Sequence, residues 1–140
     1  MKTKVKSIVS VILALVFVFA FVSCNKQAAT GVWESATYLE DTTLGSGAKT
    51  LTVEVTAEDK TVTFTVKTDK DTVGAALIEH GLIAGDESQY GLYVKVVNGI
   101  TADYDVNQRY WAFYIDGEYA STGVDSTSVT DGAHYEFRVE

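Results

Sequence analysis

Two short runs constrain this chain more than anything else in it. Leu51, Val53 and Val55 alternate with Thr52, Glu54 and Thr56, and Val62, Phe64 and Val66 alternate with Thr63, Thr65 and Lys67. A period of two sends the apolar set to one side of an extended strand and the polar set to the other. Only Ala57-Glu58-Asp59-Lys60 separates the runs, so they predict a β-hairpin with one buried face. A lone hairpin is marginal in water, and the rest of the chain must supply its cover.

The expected cover is one helix. Thr72 is placed to cap it, Val73, Ala76, Leu77 and His80 recur at helical spacing, and Gly81 stands where glycine ends helices. Strands are expected over residues 92–97, 110–115 and 134–139. Asn98-Gly99 and Asp116-Gly117 end the first two, and Asp131-Gly132 precedes the third. A further strand over residues 33–39 is suggested before Gly45-Ser46-Gly47 breaks the pattern. On strand 110–115, Trp111, Phe113 and Ile115 share the more apolar face, expected to be core, against Tyr110, Ala112 and Tyr114. The expected fold is α+β and β-grasp-like, a small mixed sheet packed on a single helix in the order ββαβββ.

Ahead of this domain lies a different kind of segment. Lys2, Lys4 and Lys6 precede a 15-residue apolar run from residue 8 to 22, broken only by Ser10. A basic start and a run shorter than the ~20 residues of a spanning helix describe a secretory signal, with an uncleaved anchor as its rival. The run ends at Phe21-Val22-Ser23-Cys24, which resembles a bacterial lipobox with Phe21 in place of an aliphatic residue. Cys24 is therefore the expected lipid acceptor. The division read from the sequence is a lipoprotein signal peptide at 1–23, a tether and N-terminal extension at 24–49, and the folded domain at 50–140. Cleavage before Cys24 removes three lysines and no acid, and takes the formal charge from −8 to −11.

That charge argues against a nucleic-acid partner, which needs a basic face. One cysteine excludes an internal disulfide and, with two histidines, leaves little for a Cys/His zinc site. No metal-ligand set stands out. Asp103, Asp105 and Asn107 imitate the start of a calcium loop, but Gln108, Arg109 and Tyr114 occupy the positions of its glycine, fourth ligand and closing glutamate. Residues 103–107 read instead as a solvated loop. His80 reads as a half-buried helix-end residue and His134 as solvated, so no nucleophile–base pair is visible. The chain is not expected to be an enzyme. What remains is a concentration of aromatics, among them Tyr90, Tyr93, Tyr104, Tyr110, Tyr114 and Tyr119. Tyrosines at strand starts and turns offer a ring and a hydroxyl to a partner, or simply edge the sheet.

Tyr90-Gly91-Leu92-Tyr93-Val94, the run from Tyr110 to Gly117, Gly123-Val124 and Asp131-Gly132 together resemble the transcobalamin-like C-terminal domain family. Thr72 to Leu77 looks like that family's helix start. The family is a bacterial domain of unknown function, similar to the β-domain of transcobalamin and intrinsic factor. The resemblance covers residues 50 to 140 and implies a domain lying over one face of cobalamin. It implies that Gly91 and Tyr93, Trp111, and the segment containing Tyr119 and Ala120 lie near the ligand. The departures are Ser126-Thr127 for an Asp-Tyr pair, Asp116 for asparagine, and the missing helical partner domain.

Two functions follow as expectations. The first is a lipid-anchored module on the outer side of the cytoplasmic membrane, capturing a small ligand such as cobalamin or another corrinoid for a membrane transporter, with no resident cofactor. The second is a cell-surface β-grasp module for protein or polymer, without a small-molecule ligand. Fold analogy alone does not choose between them.

Overall fold

The computed structural model describes residues 28–140. The expected signal peptide, lipid acceptor Cys24 and first tether residues lie outside the described residues. The predicted hairpin forms as β2 (Lys49–Ala57) and β3 (Lys60–Thr68), in register from Lys49↔Thr68 to Ala57↔Lys60. Glu58, at φ +54, turns the chain between them. Leu51, Val53, Val55, Val62, Phe64 and Val66 are all buried, as the alternation requires.

The hairpin is the middle of a six-stranded mixed sheet, ordered β1-β3-β2-β9-β7-β8. Here β1 is Thr42–Gly45, β7 Trp111–Ile115, β8 Glu118–Tyr119 and β9 His134–Val139. β1 runs parallel to β3, and β9 parallel to β2. The second parallel pairing sets Tyr135 beside Val53 and Phe137 beside Val55. β7 then lies antiparallel to β9, and Phe113 stacks on Tyr135 and Phe137 with ring centroids 6.0 and 5.1 Å apart. The Trp111, Phe113, Ile115 face of β7 thus joins the core face of the hairpin.

The expected order ββαβββ, with one sheet on one helix, is not what the chain forms. Nine strands make two sheets, and among the described residues there are two helices, α1 (Val73–Glu79) and the single turn α2 (Tyr104–Asn107). The second sheet, antiparallel β4-β5-β6, comprises Ile83–Ser88, Gly91–Val97 and Ile100–Thr101. Its first strand escaped the sequence reading for a physical reason: only Ile83 of its six residues is buried, so no alternation marks it. β6 and β8 are two residues each, too short to show a period. The loop expected at 103–107 is α2, capped by Asp103 Oδ1, which accepts from the Asp105 N–H at 3.1 Å.

α1 matches its signals. Thr72 Oγ1 accepts from the Ala75 N–H at 3.2 Å, and Gly81 at φ +64 follows the helix. Residues 33–39 are not the strand suggested for them. Gly31–Ser35 is a 3-10 turn that buries Trp33, whose Nε1–H donates to Ala57 O at 2.9 Å. Residues 31–45 thereby pack on the same core as the 50–140 segment.

Candidate functional site

The segments singled out for ligand contact meet at one end of the small sheet. Ser88 Oγ braces the β4–β5 turn, donating to Gly91 O at 2.7 Å and accepting from the Tyr90 N–H at 3.1 Å. The turn closes through Gly91 at φ +96, a conformation that favours glycine, and leaves Tyr90 82% exposed at its tip. Facing it is the loop that follows β8. Between the two lies an open cleft of about 600 Å3, lined by Tyr90, Gly91, Ser121, Thr122, Asp125 and Ser126.

Asp125 holds the cleft together. Its Oδ2 accepts from the Leu92 N–H at 2.8 Å, which ties the loop to the first turn of β5. Its Oδ1 lies where a Cβ on Gly74 would stand, and its Oδ2 would be 3.0 Å from a Cβ on Gly91. Glycine at 74 and 91 therefore leaves room for one carboxylate against both helix and hairpin. The loop is fixed further by Thr127 Oγ1 donating to Gly123 O at 2.8 Å, and by the Val73 N–H donating to Thr127 O at 2.9 Å. Sequence reasoning passed over Asp125. The glycine at 74, inside an otherwise apolar helix, was its signal.

The remaining candidates are placed unequally. Tyr93 is 44% exposed on β5, with Lys95 Nζ 5.7 Å from its ring centre. Tyr119 is 62% exposed, and its ring meets Tyr114 edge-on at 5.5 Å. Neither ring packs on the other. Ala120 is half-buried and donates its N–H to Phe113 O at 2.9 Å, delivering the chain from β8 into the cleft loop. Trp111 is only 6% exposed, and its Nε1–H donates to Ile100 O at 3.2 Å. Its indole faces the core, and Gly91 is the candidate that lines the cleft itself.

Outside the cleft lining, two charged groups are each shared by two partners. Lys95 bonds to Asp86 at 2.7 Å and to Asp103 at 3.3 Å. The Asp86 contact, reinforced by Asp103, holds its ammonium above the ordinary lysine value against the opposing effect of desolvation. Glu140 receives the hydroxyls of both Tyr110 and Tyr114, and those bonds raise both phenols above their usual range. No group at the cleft is arranged as a nucleophile with a base. The cleft offers a carboxylate, hydroxyls, backbone and an exposed ring, which suits binding.

The profile of a family described as "Domain of unknown function (DUF4430)" matches residues 70–140. Among solved structures, the crystal structure of a candidate metal-binding protein from Ruminococcus gnavus aligns with a TM-score of 0.63 and 33% identity. That alignment covers 66% of this chain and 97% of that one. Haptocorrin in complex with Cbi aligns with a TM-score of 0.55 and 20% identity, over 66% of this chain and 25% of the haptocorrin chain. The chain thus spans a quarter of haptocorrin, and at that identity the likeness is one of fold. No curated protein sequence matches the chain.

Proposed function

The chain belongs to the DUF4430 family, and from that premise we propose that it is a non-catalytic binding module which captures a corrinoid at the outer side of the cytoplasmic membrane. Cys24 carries the lipid anchor, and the ligand passes from the cleft to a membrane importer. The observation that carries this reading is the cleft itself. The Gly91 turn and the loop after Tyr119-Ala120 converge across an open, one-sided surface with Tyr90 at its edge. The fold shared with haptocorrin, solved with Cbi, supports the choice of ligand class.

A one-sided surface sets the expected strength. Burying an aromatic ring contributes about 1.5–3 kcal/mol per side chain before the cost of ordering it. Tyr90 is the one ring lining the cleft, so the cleft alone gives weak affinity, and tight capture needs a second protein over the exposed face of the ligand.

The test is calorimetry of the full chain in detergent against cobalamin and its precursor cobinamide. Binding is expected, with Tyr90→Ala weakening it while the unfolding temperature barely moves, and with Tyr93→Ala and Tyr119→Ala, outside the cleft lining, weakening it less. Absence of heat and of spectral change at millimolar ligand would leave the surface-interaction module in its place. The anchor is tested separately. Cys24→Ser is expected to abolish incorporation of labelled fatty acid and to release the domain from membranes. If the variant partitions into detergent like the parent chain, residues 8–22 are an uncleaved anchor.

A further inference from the structure

On the outer face of the large sheet, away from the core, the parallel register of β2 and β9 sets Glu54 directly beside Glu136 and Thr52 beside His134. Two like charges opposed across strands destabilise a sheet unless a cation lies between them. Arg138 answers part of this. Its guanidinium binds Glu136 Oε2 through Nε at 2.8 Å and through a second nitrogen, and it lies over the Tyr114 ring at 4.3 Å. Oε2 is thereby satisfied, but Oε1 makes no hydrogen bond among the described residues. Glu136 is only 7% exposed, and this oxygen, which is not itself fully buried, lies 3.7 Å from His134 Nδ1.

The imidazole is held between the two acids. Its Nε2 lies 3.4 Å from Glu54 Oε1, and one ligand atom from each of Glu54, His134 and Glu136 falls within 4.8 Å of the others. A neutral imidazole carries one N–H and one lone pair. With a carboxylate on each side, the second nitrogen is satisfied by a proton or by a metal ion, and the separations bear on which. Two ligands about 2.0–2.1 Å from a tetrahedral metal are about 3.3–3.4 Å apart, so the Nε2 to Oε1 separation fits a pair of first-row metal ligands.

We propose that Glu54 Oε1 and His134 Nε2 bind a divalent transition-metal ion of the zinc type on this face. Glu136 acts as a positioning residue. Arg138 anchors it, and its Oε1 lies 3.7 Å from His134 Nδ1, beyond a hydrogen bond. A small rotation of the imidazole on binding the ion would let that oxygen accept the Nδ1–H and hold Nε2 toward the ion, as the outer carboxylate does in carboxylate–histidine–metal sites. Water fills the remaining positions. Mixed imidazole and carboxylate donors suit zinc and its neighbours better than calcium or magnesium. The inference rests on this register and these side chains and is independent of the corrinoid reading, since the cleft uses none of the three.

The experiment is zinc titration of the full chain in detergent on a Cys24→Ser background, so that no thiol competes. One ion per chain is expected. Glu54→Gln and His134→Gln should abolish uptake, and Glu136→Gln should weaken it by about tenfold or more. Zinc should also shift the His134 Nε2 resonance in long-range proton–nitrogen spectra and leave the His80 ring nitrogens unmoved, a readout that needs no variant to fold. Failure of the parent chain to take up zinc at millimolar concentration overturns the proposal. So does uptake undiminished by His134→Gln, because an imidazolium bridging the two carboxylates then explains the cluster.

Discussion

Trp111→Ala is expected to lower the unfolding free energy by about 3–5 kcal/mol, the cost of emptying a large aromatic site in a small core. The position is more than a filled space. Trp111 opens β7 in the large sheet, and its indole N–H ends on the carbonyl of Ile100 in β6, a strand of the small sheet. The side chain therefore joins the two sheets through packing and through a hydrogen bond, and alanine removes both. It also removes one of the donors to the Ile100 carbonyl, which adds to the cavity term.

Denaturant unfolding of the full chain, followed by circular dichroism, measures the loss. Trp111→Phe separates the two contributions: it keeps most of the volume and loses the donor, so its deficit should be about 1–2 kcal/mol. A change below about 1 kcal/mol for Trp111→Ala would mean that the indole faces outward, against a large-to-small cost of several times that. Trp111 would then be an exposed aromatic, as Tyr93 and Tyr119 are.

What the sequence revealed of this fold was its local part. Alternation in β2 and β3 stated both the strands and the buried face, because a hairpin with one dry side must be written with period two. Thr72 and Gly81 marked the ends of α1, since capping chemistry is confined to the residues that carry it. The pairings of β1 with β3 and β2 with β9 are parallel and join segments far apart in the chain, and no local signal announces such partners. That is also why the cluster of Glu54, His134 and Glu136 was invisible. Read along its own strand, His134 alternates outward and reads as solvated; only the β2–β9 register brings Glu54 to it. The cleft was legible by halves. Gly91 and the segment from Tyr119 were each marked by their turns and by resemblance, whereas Asp125, which fastens one to the other, acts through a contact 33 residues apart in sequence.

Asn98 combines a legible role with a hidden one, and its removal should cost nearly as much as that of Trp111. The Asn98-Gly99 pair forms the expected tight turn between β5 and β6, with φ of +52 and +77. The hidden role lies in the side chain, which is fully buried. Its Oδ1 accepts from the Tyr38 N–H at 2.9 Å, and its Nδ2 donates to Tyr38 O at 2.8 Å. Beside it, Asn98 O accepts from the Thr37 N–H at 2.9 Å, and a Cβ on Gly99 would stand 2.5 Å from Ser35 O. One amide thus fastens residues 35–38 of the N-terminal extension to the small sheet as a fourth strand would. Asn98→Gly keeps the left-handed turn and loses the two bonds, and should cost about 2 kcal/mol because both Tyr38 groups lose their partners. Asn98→Ala keeps the Cβ that asparagine already holds at positive φ, loses the local amide hydrogen bonding that eases asparagine there as well as the two bonds, and should cost about 3 kcal/mol in all. Hydrogen exchange at the Tyr38 amide supplies the independent readout, with protection expected to fall in both variants. If both unfold within about 0.5 kcal/mol of the parent chain, the size of an ordinary surface substitution, and Tyr38 stays protected, the extension is held by Trp33, the Thr37–Asn98 backbone bond and the β1–β3 pairing, and the amide is incidental to the fold.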